Sequence, residues 1–374
     1  MKIVLASHST EIGGAELVLL ELVAGLIDRG VTVSVVLPGE GVLARRLEAV
    51  GAETWRVPYE WWAGLRRSRA DAVQRSGRNI RAALSIRTLL RRLGPDVVVT
   101  NTLTIPSAAL AAKALRIPHV WYLHEFGQKD HGLSFDLGLR TSVRLVNWLS
   151  ARIIVNSRAI FDEFSRDIPS AKLRVAYCGV DVPERLPSFP PPAERPFRLV
   201  LVGFKTPSKG QEDAIRAVGL LRERGRDVRL ALVGQCSPEY ALRLGRLVRE
   251  VHADDVIDFV DFTEDRYRYV QQAHVALMCS RSEAFGRVTV EAMKLGRPVI
   301  GTDRGGTREL IRDGRTGLLY PYGDPAGLAE RIDRLYADRE LRESLGRNAR
   351  EWARATFSVA RHTAAVMEVL AEIR

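Results

Sequence analysis

Short apolar runs alternate with longer stretches whose apolar residues recur every three to four positions. In the first half the runs at Lys2–Ala6, Val31–Leu37, Thr54–Val57, Asp96–Thr100, Pro118–Tyr122, Arg152–Asn156 and Leu173–Ala176 predict strands. The stretch Ala15–Asp28 has helical spacing, and Gly30 follows it as a stop. A β-α-β order of this kind predicts a mostly parallel sheet covered by helices. The pattern breaks at residues 183–196, where Pro183, Pro187, Pro190, Pro191, Pro192 and Pro196 rule out a helix or central strand and predict a linker. It restarts at Phe197–Val202 and continues through Arg229–Val233, Val256–Val260, Val275–Met278, Pro298–Gly301 and Gly317–Tyr320. The expected fold is therefore two Rossmann-like, doubly wound α/β domains, residues 1–182 and 197–355, facing a cleft. The helical pattern of 356–374 is expected to pack back towards the first domain. Ligands bind outside the carboxyl ends of parallel strands, so each domain can hold one substrate.

At 374 residues the chain is long enough for two cores. Three scattered cysteines, Cys178, Cys236 and Cys279, argue against a disulfide framework or a zinc site and for a reducing compartment. Neither a signal peptide nor a run of roughly 20 apolar residues is recognisable, so the expectation is cytoplasmic. The formal net charge is +11. Much of it is local: residues 61–92 hold nine arginines (Arg66, Arg67, Arg69, Arg75, Arg78, Arg81, Arg87, Arg91, Arg92) against Asp71. Apolar residues interleave with them, and Tyr59, Trp61 and Trp62 precede them. A basic amphipathic helix beside aromatics suits an anionic membrane surface or a polyanionic acceptor; a solvated arginine-rich face is the plain alternative. No nucleic-acid recognition module is present, so nucleic acid is not expected as a partner.

Candidate chemistry is densest between Ser280 and Gly317. There a strand ends, Glu283 lies in the following loop, Gly286 permits close backbone approach, and a helix begins that carries Glu291 about one turn in. The N–H groups and positive dipole end of that helix suit a pyrophosphate, and a carboxylate beside such a site suits hydroxyl recognition. Two glutamates at this spacing are, alone, ordinary for a solvated helix; the flanking Phe285-Gly286, Glu291-Ala292-Met293, Gly296-Arg297-Pro298-Val299-Ile300 and Gly305-Gly306 give the pair its weight. Earlier, Gly203-Phe204-Lys205-Thr206-Pro207-Ser208-Lys209-Gly210 links a strand to a helix, and Lys209 is placed to meet a phosphate as a point charge. Gly13-Gly14 enters the first helix, and His124 sits at a strand's carboxyl edge. Glu16 reads as a cap or ion-pair partner on that helix.

These motifs resemble the retaining glycosyltransferases of family 4 (group 1), whose fold is GT-B, and the resemblance covers nearly the whole chain. It implies an enzyme that moves a sugar from a nucleoside-diphosphate sugar to a glycan, lipid-linked or natural-product acceptor. Glu283 would contact the donor sugar, Glu291 the ribose, His124 the reaction centre, and Gly13, Gly14, Lys209, Phe285, Gly286 and Arg287 the donor. The family has an arginine directly after the glycine matching Gly203. Phe204 stands there instead, and Lys205 or Arg287 is expected to supply the missing charge. The sequence holds no D-x-D triplet, so no metal and no cofactor beyond the donor are expected. A glycoside hydrolase using Glu283 and Glu291, or a non-catalytic nucleotide-sugar binder, are the alternatives.

Overall fold

The computed structural model describes residues 1–65, 69–183 and 194–373. Most of the proline-rich 183–196 segment, and Arg66 and Arg67 of the basic stretch, lie outside the described residues. The chain divides into two units, Met1–Val180 with Phe357–Arg374, and Asp181–Thr356.

The first unit carries seven parallel strands: β1 (Lys2–Ser7), β2 (Thr32–Leu37), β3 (Glu53–Arg56), β4 (Val97–Asn101), β5 (His119–Leu123), β6 (Arg152–Val155) and β7 (Leu173–Val175). Their order is β3-β2-β1-β4-β5-β6-β7. β4 and β5 are buried along their whole length, which is why they read as continuous apolar runs rather than alternating ones. In the second unit β8 (Phe197–Val202), β9 (Val228–Val233), β10 (Ile257–Val260), β11 (Val275–Met278), β12 (Val299–Thr302) and β13 (Gly317–Tyr320) take the order β10-β9-β8-β11-β12-β13. Both sheets reverse direction of growth beside their first strand, at β1/β4 and at β8/β11. A doubly wound sheet opens its ligand crevice at such a switch point.

Two features escaped the periodicity. Ala63–Gly64 pairs antiparallel with Ser134–Phe135 as a two-residue ribbon. The basic stretch forms one helix, Arg69–Leu93, whose arginines do not make a single solvated face. Arg75 is buried and forks onto Asp136 at 2.9 and 2.6 Å. Arg78 pairs with Glu60 at 2.6 Å, and Arg92 lies over the Trp55 ring. The inward face of the same helix gives Ala82, Ile86, Leu89 and Leu90 to the core beneath the sheet. The terminal helix Val359–Ala371 belongs to the first unit: His362 Nε2 lies 2.8 Å from the Tyr122 hydroxyl, and Glu372 bridges Arg152 and Arg174.

Candidate functional site

At the β8/β11 switch point two loops are laced together. The loop after β8 makes one 3-10 turn, Pro207–Lys209, and Gly210 then starts the helix Gln211–Glu223 in the left-handed region, at φ +70°. A Cβ at Gly210 would overlap the Cys279 carbonyl oxygen, so only glycine lets this loop press against the end of β11. Arg281 N–H closes the seam by donating to Ser208 O at 2.8 Å. The result is that Lys209 Nζ sits 2.7 Å from Glu283 Oε2, with Ser280 Oγ donating to the same oxygen at 2.9 Å. Both side chains remain partly open, 29% and 15% exposed, so the pair is reachable.

Glu283's backbone is fixed from the other side. Gly306 N–H donates to Glu283 O at 2.7 Å, and Thr302 Oγ1 to Ser280 O at 2.8 Å. Gly305 and Gly306 thus pack on the Glu283–Phe285 backbone itself. Phe285 is buried and anchors the loop, Gly286 caps the next helix with φ +94°, and Arg287–Lys294 follows. A helix beginning here puts the positive end of its dipole close to an ammonium, a carboxylate and a hydroxyl, with the Thr289 N–H donating to Gly286 O at 3.0 Å. Such a group can bind an anion and a hydroxyl-bearing ring side by side.

Glu291 lies one turn into that helix and is buried. Arg266, from the helix Arg266–Gln272, holds both of its oxygens at 3.0 Å, while Arg287 Nη2 stands 4.0 Å away. Burial alone would lower the Arg266 pKa; hydrogen bonding to Glu291 and its charge outweigh that and raise it. A carboxylate has about four acceptor positions, so Arg266 leaves Glu291 room for two hydroxyls. A cavity of about 550 Å³ opens at the ends of β8, β9 and β10, lined by Phe204, Thr206, Gln235, Tyr240, Asp261 and Phe262. Phe204 and Phe262 are 60% and 63% exposed, flat apolar faces on which a planar ring can stack.

Lys205 departs from expectation. Its ammonium is buried and donates to the carbonyls of Gly234 and of Val260, the latter at 2.7 Å. It ties off the ends of β9 and β10 instead of facing a phosphate, and burial holds its pKa below the usual lysine range. Chain direction explains this: Phe204 points outward, so its neighbour points in.

In the first unit, His124 follows β5 and its Nε2 lies 2.7 Å from Asn101 Oδ1 at the end of β4. The His124 ring packs on Tyr122 at 4.1 Å, and its backbone N–H donates to Glu125 Oε2 at 3.1 Å. Gly13 caps the helix Gly14–Ile27, but its N–H donates to Glu16 Oε2 at 3.2 Å and is not presented to a ligand. Glu16 also stands 2.9 Å from His8 Nδ1. Burial opposes a charged His8, yet Glu16 beside it leaves the net pKa raised. Glu16 is thus the cap and partner its position predicted. Arg266, Ser280, Asn101 and Glu125 were missed; Ser280 alone had a local signal, three residues before Glu283.

Two family models match in tandem: "Glycosyltransferase Family 4" over residues 12–184 and "Glycosyl transferases group 1" over 184–352. The D-inositol 3-phosphate glycosyltransferase of Pseudarthrobacter chlorophenolicus is 27% identical over 383 residues, covering 91% of this chain and 86% of that one. The enzyme of the same name from Paenarthrobacter aurescens is 31% identical over 215 residues; that match takes in 54% of this chain and about half, 52%, of the relative. Among solved structures, Anabaena HepE in complex with UDP-glucose superposes with a TM-score of 0.81 at 23% identity, over the full length of both chains.

Proposed function

The chain belongs to the glycosyltransferases of family 4 and group 1, with the GT-B fold, and from that premise we propose that it transfers a sugar from a nucleoside-diphosphate sugar with retention of anomeric configuration. The observation that carries the proposal is the Lys209–Glu283 pair, 2.7 Å apart, at the β8/β11 switch point beside the helix start at Gly286. HepE was crystallised with UDP-glucose, which supports a nucleotide-sugar donor and makes UDP the first nucleotide to test.

In this reading the diphosphate takes Lys209 away from Glu283 and meets the N–H groups at the start of the Arg287 helix. Glu283, released from the lysine, accepts hydroxyls of the donor sugar. Glu291, held by Arg266, accepts the ribose hydroxyls, and the base lies in the cavity between Phe204 and Phe262. His124, oriented by Asn101, serves the reacting sugar. The acceptor oxygen attacks the anomeric carbon on the face the leaving group departs from. The bond from that carbon to the diphosphate oxygen breaks, and the acceptor proton passes to that oxygen. Lys209 and the helix N–H groups meet the charge that develops, so the scheme asks no metal ion of the protein.

Calorimetry with UDP, GDP, TDP and ADP, followed by proton NMR of the product's anomeric signal, tests it. Micromolar binding of one diphosphate and retained configuration are expected. No affinity for any of the four, or activity that survives alanine at both Glu283 and Glu291, would sink the proposal.

A further inference from the structure

The helix Arg69–Leu93 has an outward face that the candidate site does not use. Val73, Ile80 and Leu84 are 75%, 57% and 54% exposed, and their spacing of seven and four places them in one stripe opposite the buried Ala82, Ile86, Leu89 and Leu90. Arg81 and Arg91 are exposed beside the stripe. Leu65, 70% exposed, and Leu137, 49% exposed, flank the two-residue ribbon of Ala63–Gly64 with Ser134–Phe135. Single exposed apolar residues are ordinary on any protein surface. An ordered row of them, about 16 Å long at the helical rise and edged by guanidinium groups, is not.

Charge decides what covers it. A second copy of the chain would set these arginines against their own equivalents, which is repulsive. A nucleic acid would complement the arginines but leave the apolar row against water. An anionic bilayer satisfies both, because the side chains enter the acyl boundary while the guanidinium groups meet lipid phosphates. No helix among the described residues is long and apolar enough to cross a membrane, so contact by this face is contact in the interface plane. We propose that the first unit docks on an anionic lipid surface through the Val73–Ile80–Leu84 stripe and the arginines beside it. The chemistry of such a surface points to an acceptor carried on a lipid; that clause alone rests on the transferase reading.

The test is flotation of the full chain with phosphatidylcholine vesicles, with and without phosphatidylglycerol. The wild type floats with the anionic vesicles at low salt and is released at high salt. The triple variant V73D/I80D/L84D loses binding by roughly tenfold or more. Arg81→Gln with Arg91→Gln weakens binding to anionic vesicles by roughly fivefold for each charge, the equivalent of about 1 kcal/mol apiece. Unchanged circular dichroism and an unchanged thermal shift with UDP show that the variants are folded, and the UDP shift reads the transferase proposal separately. Absence of flotation at low salt, equal flotation of wild type and triple variant, or a dimer by light scattering that the triple variant breaks, each overturns docking.

Discussion

Arg266 grips Glu291 with a two-pronged fork, Nε to one carboxylate oxygen and Nη2 to the other, both at 3.0 Å. The two residues are on different helices, and Glu291 is 3% exposed at its side chain. The fork fixes the carboxylate plane, and with it the direction of the lone pairs left over for a ligand.

Removing the guanidinium leaves a buried carboxylate with only the more distant Arg287, 4.0 Å away, as the cation described beside it. Arg266→Ala is expected to cost about 3 kcal/mol in urea unfolding and to raise the donor KM at least tenfold, with kcat less affected. Arg266→Lys restores stability in part but not the KM, since an ammonium cannot fork. A variant with ordinary KM would show that Glu291 needs no orientation.

Lys205 and Lys209 separate cleanly by experiment. Lys205→Met takes the ammonium from the Gly234 and Val260 carbonyls, of which Val260 keeps the Gly234 N–H, and is expected to lose about 1–3 kcal/mol of stability, with nucleotide affinity kept. Lys209→Met, at a partly open ion pair, is expected to do the reverse: near-normal stability and at least tenfold weaker diphosphate binding. Calorimetry alongside thermal melts reads both, and equal behaviour of the two variants contradicts the assignment.

Glu283→Gln keeps the shape of the loop, including the hydrogen bond from Gly306 to the backbone carbonyl, but removes the charge. Turnover is expected to fall roughly hundredfold with the melting temperature nearly unchanged. Release of nucleoside diphosphate, followed by a coupled assay, measures it; wild-type turnover would exclude Glu283 from the chemistry.

Acid should weaken the fold in both units. Burial holds His119 down to about 3 and His274 down to about 4, against 6.5 for a free histidine. Between those values the unfolded chain binds the additional protons. Stability is therefore intact above about pH 6.5 and falls as pH drops towards 4, by at most about 1.4 kcal/mol per pH unit for His119. Each ring is placed as a neutral partner: His119 Nε2 lies 2.8 Å from Thr100 Oγ1, and His274 Nδ1 accepts from Arg198 N–H. Urea melts across this range check it, and a midpoint independent of pH would be the contrary result.

Most strands were legible because burial makes them stand out as apolar runs, β11 and β13 to the residue, while the edge strands β3 and β10 keep exposed polar positions. Glu283, Gly286 and Glu291 were legible because loop and helix carry them within one short segment. What escaped depends on direction or on distance along the chain. Whether Lys205 or Lys209 faces a ligand turns on the loop path that Gly210 sets, and no local pattern records it. Arg75 reads as one more surface cation until Asp136, 61 residues on, is brought against it. Arg266 reads as a surface residue for the same reason, and Gly13 as an anion-binding glycine until Glu16 folds back on its N–H.

The second unit is an insertion within the first, because residues 357–373 return to pack beside β5, β6 and β7. During synthesis, Asp181–Thr356 can therefore complete its fold before its predecessor does. Until the helix Val359–Ala371 and Glu372 emerge from the ribosome, the earlier-made sheet lacks the contact of Tyr122 with His362 and that of Arg174 with Glu372. A nascent chain arrested short of residue 357 would thus expose the older half to proteases and chaperones while the younger half stands finished.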